Sequence, residues 1–275
     1  MKKAFFIISD IIIGVYLVLA MASWNKPAPA VKDCQKVTIR IADENTHGFL
    51  TKGEIQRLLK QRGLYPLGQP IDATNLRKIE TEMKRMPFVS DAQCSVTQQG
   101  HVYITVTQRT PLIRIKNIKN QDFYIDDNGG IMPNSQYVSN LMIATGYISK
   151  AYATKYISAI AHYLMADELW SKEIEQINIT EDKHVELIPR NGEHVVNIGK
   201  MPQINDADPP TKKYAAINDY LKHQLTRLEL FYRYVPQTLE PPVPNDSTNV
   251  LNSISYDYID LEYNNQIICQ RRTSL

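Results

Sequence analysis

Chemistry-bearing motifs are the first thing this 275-residue sequence lacks. It has no G-x-x-x-x-G-K-[ST] to cradle phosphates, no G-x-G-x-x-G, no H-E-x-x-H, no G-x-S-x-G and no C-x-x-C. That counts against a nucleotide-dependent, zinc-protease, serine-hydrolase or dithiol enzyme. Charge of one sign is also scarce. The formal net charge is +2, with no long basic run, which argues against a protein devoted to nucleic acid. Cysteines number three, Cys34, Cys94 and Cys269, so at least one thiol is left without an intramolecular mate. Spacing leaves a Cys34–Cys94 bridge open, and three small apolar thiols are the simpler reading. No internal repeat is present.

Apolar residues make up 43% and charged residues 22%, enough to build a core at this length. The longest apolar run is "AFFIISDIIIGVYLVLAMASW", Ala4 to Trp24, preceded by Lys2 and Lys3. At roughly 1.5 Å per residue it just crosses a ~30 Å hydrocarbon layer. We expect residues 1–3 to be a cytoplasmic stub and 4–24 an uncleaved transmembrane helix, oriented by the two lysines. A signal peptide cut near Ala20-Met21-Ala22 is the rival reading. Asp10 is costly at that depth unless it sits near the interface. Residues 25–34, with "KPAPA", read as a linker.

Beyond the linker, "KVTIRI" alternates as a half-buried strand. Thr51 and Glu54 have capping-box spacing before a helix carrying Ile55, Leu58 and Leu59, and Gly63 ends it. A second helix, capped by Asp72, carries Leu76, Ile79 and Met83 and stops at Pro87. Two alternating strands follow, Ala92/Cys94/Val96 and Val102/Ile104/Val106, around Gly100. This β-α-α-β-β order over residues 35–110 predicts two helices on one face of a three-stranded sheet. Pro111 marks the boundary to a second domain, 111–272.

In that domain "FYIDDNGGIM" reads as strand, turn, strand. Asp126, Asp127 and Asn128 lack the alternating acids and distal Glu of a calcium loop, so a plain turn is expected. "YATKYISAIAHYLMADELW" predicts a helix on Ile157, Ile160 and Leu164, with His162 a surface or satisfied histidine and no ligand, since no Cys/His/Asp companion sits at i+4. Three strands follow ("IEQINI", "HVELIP", "HVVNIG"), the last two joined at Asn191-Gly192. A helix on Ile217, Leu221, Leu225 and Leu228 comes next, then a Pro-rich loop at 236–250 and a closing hairpin. His184 and His194, on neighbouring strands, are a weak metal candidate, and Asp126 with Asp260 a weak hydrolytic pair.

Asn264-Asn265 can fill a two-residue hairpin turn. That register sets Tyr263 opposite Gln266, Leu261 opposite Ile268 and Ile259 opposite Gln270. It puts Ile259, Leu261, Tyr263 and Ile268 on the core face, and Tyr256, Tyr258, Asp260, Glu262, Ile267, Cys269 and Arg271 outside. Apolar residues among charges on the outward side of a terminal strand suggest a contact surface.

A single anchor, a β-α-α-β-β unit ending in "QRTPLIRI", then "FYIDDNGGIMP", "LMIATG" and "YIDLEYNNQIICQRR", resembles the FtsQ/DivIB cell-division family. The resemblance implies an α+β fold: a POTRA-like domain, then a mixed β-sheet domain with two helices and a C-terminal hairpin. It implies no catalytic activity, cofactor or metal. It implies instead an inner-membrane, single-pass scaffold facing the periplasm at the division septum. FtsB-like and FtsL-like partners would bind at the C-terminal end, other division components at the POTRA-like domain, and septal peptidoglycan synthesis would be the process controlled. Partner-binding positions are then Tyr258, Asp260, Glu262, Tyr263, Asn265, Gln266, Ile267, Ile268, Cys269, Gln270 and Arg271, through strand addition. Glu262 reverses the charge that some family members carry there. A POTRA-bearing subunit for envelope protein assembly and a membrane-anchored peptidoglycan-acting enzyme are the alternatives.

Overall fold

The computed structural model describes residues 11–21, 33–43, 48–135, 141–190, 194–205, 207–238 and 256–271. Residues 11–21 are helical, with Ile11, Ile12, Ile13, Leu17 and Val18 exposed. Among the described residues no helix is long and apolar enough to cross a membrane. The rest of the expected 4–24 span, most of the 25–34 linker and the Asn191-Gly192 turn lie outside them.

The chain divides into two compact units. The first contains β1 (Lys36–Ile41), α1 (Lys52–Gln61), α2 (Leu76–Lys84), β2 (Val89–Val96) and β3 (His101–Gln108). The sheet order is β1-β3-β2, with β1 parallel to the central strand. Alternation puts Val102, Ile104 and Val106 of β3 inward, against Ile55 and Leu59 of α1 and Ile79 and Met83 of α2. Both halves of the expected capping box form: Thr51 Oγ1 accepts from the Glu54 N–H, and Glu54 Oε2 accepts from the Thr51 N–H at 2.9 Å. At the other end Gly63 has φ +65°, and the Leu64 N–H reaches Leu59 O at 2.8 Å, the closure that a left-handed residue permits. The cap of α2 is a correction. Asp72 lies in a 3₁₀ turn, Ile71–Ala73, and Asn75 accepts from the Lys78 N–H at 2.9 Å instead. Asn75 wins because it stands at the residue before the helix, where the orphan N–H groups point.

The outer side of β2 is engaged by α2. Glu80 Oε1 accepts from the Cys94 N–H at 2.7 Å, and Lys84 Nζ pairs with Asp91 at 2.6 Å. A strand edge masked in this way is a poor template for another strand.

The second unit contains β4 (Pro111–Asn117), β5 (Asp122–Asp126), β6 (Ile131–Pro133) and β7 (Ile143–Gly146). A helical turn at Lys150–Tyr152 and a π-helical segment at Ala153–Ile157 lead into α3 (Ser158–Ala166), and α4 (Glu168–Glu173) follows. The single helix expected through Trp170 is therefore broken. Asp167 is extended, and its carboxylate accepts from the N–H groups of Leu169 and Trp170, capping α4. Next come β8 (Ile174–Ile179), β9 (His184–Pro189), β10 (Val195–Lys200), α5 (Pro210–Thr238), β11 (Tyr256–Asp260) and β12 (Ile268–Arg271). The helix α5 takes in Pro236, Gln237 and Thr238, the first residues of the expected loop, and 239–250 lie outside the description.

Among the described residues nine strands form one mixed sheet, ordered β12-β11-β10-β9-β8-β7-β4-β5-β6. One core carries Ile113, Ile115, Ile177, Leu187, Val196 and Ile259 from the strands with Ile157, Ile160 and Leu164 and with Leu221, Leu225 and Leu228 of α5. His162 is exposed, the first of its two expected placements. The other side of the strands carries Arg114, Thr145, Gln176, Asn178, Glu186 and Asp260, which hydrogen-bond across it.

Candidate functional site: the edge at β12

The sheet has two end strands. β6 is only three residues long and ends in Pro133, two devices that blunt an edge. β12 is the other, and among the described residues it pairs with β11 alone. The N–H of Leu261 donates to Asn197 O of β10 at 2.8 Å. Backbone groups alternate sides along a strand, so the even-numbered residues of β11 turn theirs toward β12. Asp260 and Tyr258 lie opposite Ile268 and Gln270. Ile268 and Gln270 thus spend their backbone groups on β11, and the N–H and C=O of Cys269 aim outward.

The register differs by one residue from the two-residue hairpin that Asn264-Asn265 predicts: Ile259 faces Cys269, and Asp260 faces Ile268. A slip of one inverts every side chain of a strand. Ile267 and Cys269 therefore pack against the core, while Ile268 is 48% and Tyr263 51% exposed. The expected core face of Ile259, Leu261, Tyr263 and Ile268 is corrected to Ile259, Leu261, Ile267 and Cys269. The connection is also held from α5. The Arg227 guanidinium donates to the carbonyl oxygens of Leu261, Tyr263 and Gln266, each at 2.7 Å, while the Gln266 N–H donates to Tyr263 O at 3.4 Å across Asn264-Asn265. Tyr263, Asn264, Asn265 and Gln266 are all exposed on that loop.

Tyr258, Asp260 and Glu262 share the opposite face. Asp260 Oδ1 accepts from Asn197 Nδ2 at 3.0 Å and from the Glu262 N–H at 2.9 Å, and Glu262 Oε1 lies 3.2 Å from His184 Nε2. Burial first, then the charges of Glu186 and Asp260, push the Tyr258 phenol up to about 12. Burial also raises the Cys269 thiol. Arg271 ends β12. Sequence reasoning missed Arg227 and Asn197, and read His184 only as a weak metal candidate with His194. The available signal was Tyr220, Gln224 and Arg227 at i, i+4 and i+7, a polar row flanking the apolar stripe of α5.

The rival sites do not assemble. His184 meets Glu262, whereas His194 Nε2 lies 2.6 Å from Tyr232 Oη. Antiparallel pairing sets His184 opposite Lys200, so the two histidines sit at opposite ends of the β9–β10 hairpin. Asp126 belongs to β5 and Asp260 to β11, with β10, β9, β8, β7 and β4 between them. Asp126 accepts from Arg109 Nε at 2.7 Å and from the N–H groups of Asn128 and Gly130, which is turn and ion-pair chemistry. All three cysteines are free thiols. No group of three His, Cys, Asp or Glu residues is placed to hold a metal among the described residues.

A cavity of about 560 Å³ lies beside His194, lined by Trp170, Glu173 and Tyr232 among others. Burial holds the His194 imidazole below its ordinary value of 6.5. The folded state thus refuses a proton that the unfolded chain accepts below about pH 6.5, so this contribution is complete above that pH and declines as pH falls. Thermal melts of wild type and His194→Gln between pH 7.5 and 5 should show a steeper acid-side loss of Tm in wild type. Parallel curves would contradict it.

Two family models match the chain: one described as a POTRA-like domain over residues 32–107, the other as FtsQ/DivIB, C-terminal related, over residues 110–224. The second match ends before β11 and β12 begin. Among solved structures the chain is similar to the major extracytoplasmic domain of the trans isomer of the bacterial cell division protein DivIB from Geobacillus stearothermophilus. Identity is 14% and the TM-score 0.28, over 46% of this chain and 96% of that one. No curated protein matches. Fold and domain content define a two-unit α+β chain with one POTRA-like and one FtsQ/DivIB-type domain. The first unit is thus POTRA-like over residues 32–107, and the second is related to the C-terminal part of FtsQ/DivIB cell-division proteins over residues 110–224.

Proposed function

We propose that this chain is a membrane-anchored division scaffold that acts by binding and not by catalysis. An extended segment of an FtsB-like or FtsL-like partner adds along β12, other division components bind the POTRA-like unit, and septal peptidoglycan synthesis is the process controlled. The observation that carries the reading is the contrast between edges. Within the nine-stranded sheet, β6 is short and closed by Pro133, whereas β12 pairs on one side and turns Cys269 backbone groups outward. Strand addition satisfies such groups at about 1 kcal/mol each, and alternate side chains add selectivity. The exposed apolar side chains of helical residues 11–21 support an anchor over 4–24, and Lys2 and Lys3 before it favour a cytoplasmic N-terminus with both units periplasmic.

Ile268, being exposed, is the residue to change. Ile268→Lys places a charge typical of blocked edges opposite Asp260, where it costs β12 little. Tagged full-length protein should recover FtsB-like and FtsL-like partners by mass spectrometry, and the folded Ile268→Lys variant should recover neither. Undiminished recovery by that variant would overturn the reading. Ile267→Lys is a different experiment: it buries a charge against the core and should lower stability by about 1–3 kcal/mol in a denaturant titration.

A further inference from the structure

We propose that Arg227 is a positioning residue that selects the register of β12, and so decides which side chains and backbone groups the edge offers. Its consequence for binding rests on the strand-addition reading; the register claim does not.

Two registers compete for this strand. A two-residue turn at Asn264-Asn265 would bond Tyr263 to Gln266 and turn Ile268 and Gln270 inward. The observed register turns Ile267 and Cys269 inward instead. Both bury an isoleucine, so burial alone separates them weakly, and a local turn signal favours the first. Arg227 reverses the choice. Its Nη2 occupies the carbonyl oxygens of both Tyr263 and Gln266, the residues that the tight turn would pair, and its Nη1 holds Leu261 O. The Gln266 N–H still donates to Tyr263 O across Asn264-Asn265, at 3.4 Å, so one bond of the tight turn forms, while Arg227 takes the Gln266 carbonyl that the second would use.

The guanidinium is itself fixed. Nη1 also donates to Gln224 Oε1 at 2.7 Å, and the buried Gln224 donates through Nε2 to Ile198 O of β10 and to the Tyr220 hydroxyl. Tyr220 donates to the same Ile198 carbonyl. A polar row on α5 thus ties the loop to β10, and β12 inherits its phase from the helix. Charge-assisted hydrogen bonds are the strong class, and a planar fork reaching three carbonyls is a geometry that lysine does not reproduce.

The test reads side-chain facing directly. Full-length protein is treated with iodoacetamide, and alkylation is followed by peptide mass spectrometry, with Cys94 of the first unit as internal reference. In Arg227→Met, Cys269 should react about tenfold faster than in wild type, and Arg227→Lys should fall between. A second chain carrying Cys269→Ser and Gln270→Cys reports the opposite face: alkylation at position 270 should slow when Arg227→Met is added. An unchanged rate at 269, or rises at both 269 and 270, which mean a detached strand, would overturn the register claim. The expected reciprocal change without loss of partner recovery would uphold Arg227 as the positioning residue and sink the strand-addition reading.

Discussion

Replacing Arg109 by alanine is expected to lower the stability of the second unit by about 3–5 kcal/mol, the cost of leaving one partner of a buried ion pair alone. Asp126 keeps only 4% of its side chain exposed, and Arg109 Nε reaches its Oδ2 at 2.7 Å. The same arginine donates from Nη1 to Ile131 O at 3.0 Å, so it bridges the two strands that flank the Asp126 turn. At roughly 2–4 °C per kcal/mol for a unit of this size, Tm should fall by about 6–20 °C. Asp126→Asn should cost less, since the amide oxygen still accepts from the Asn128 and Gly130 N–H groups. The double variant should recover part of the loss, because the stranded charge is gone. A double variant no better than Arg109→Ala would show that the pair's electrostatics are not the cause.

The second large effect concerns binding. Cys269→Pro removes one N–H that β11 does not use, and proline is tolerated on an edge strand when its missing donor faced outward. The ring is close in size to the cysteine side chain, which is only partly buried against the core. The folded unit should therefore keep its melting temperature within a few degrees, while affinity for the added segment falls by about 10- to 100-fold. Gln270→Pro is the matched contrast. It takes its N–H from the β11 ladder and should destabilise the hairpin itself. Titration of labelled partner segment into the two variants separates the outcomes, and equal affinity of Cys269→Pro and wild type would contradict the assignment of outward groups.

Strands were legible wherever side chains alternate over a one-sided core. "IEQINI" and "HVELIP" match β8 and β9 residue for residue, and Val102, Ile104 and Val106 point inward as read. The last helix was legible from Ile217, Leu221, Leu225 and Leu228. The site was legible in part. That the chain ends in two paired strands follows from the residues near Asn264-Asn265; which way β12 faces does not. That depends on Arg227, whose acceptors lie 34 to 39 residues downstream, beyond any local pattern. Asp72 misled for a related reason: two acceptors compete for one helix start, and the choice between them rests on the preceding 3₁₀ turn. His184 and His194 misled because both flank one hairpin, while antiparallel geometry sends the start of one strand to the end of the other.

The most direct measurement is amide hydrogen exchange over residues 261–271 in the full-length protein, free and with the co-purified partner bound. The amide of Cys269 should exchange rapidly in the free protein, faster than those of Ile268 and Gln270, and become protected on binding while α2 and β2 stay unchanged. Slow exchange at Cys269 before any partner is added, or protection confined to other strands on binding, would contradict strand addition at β12.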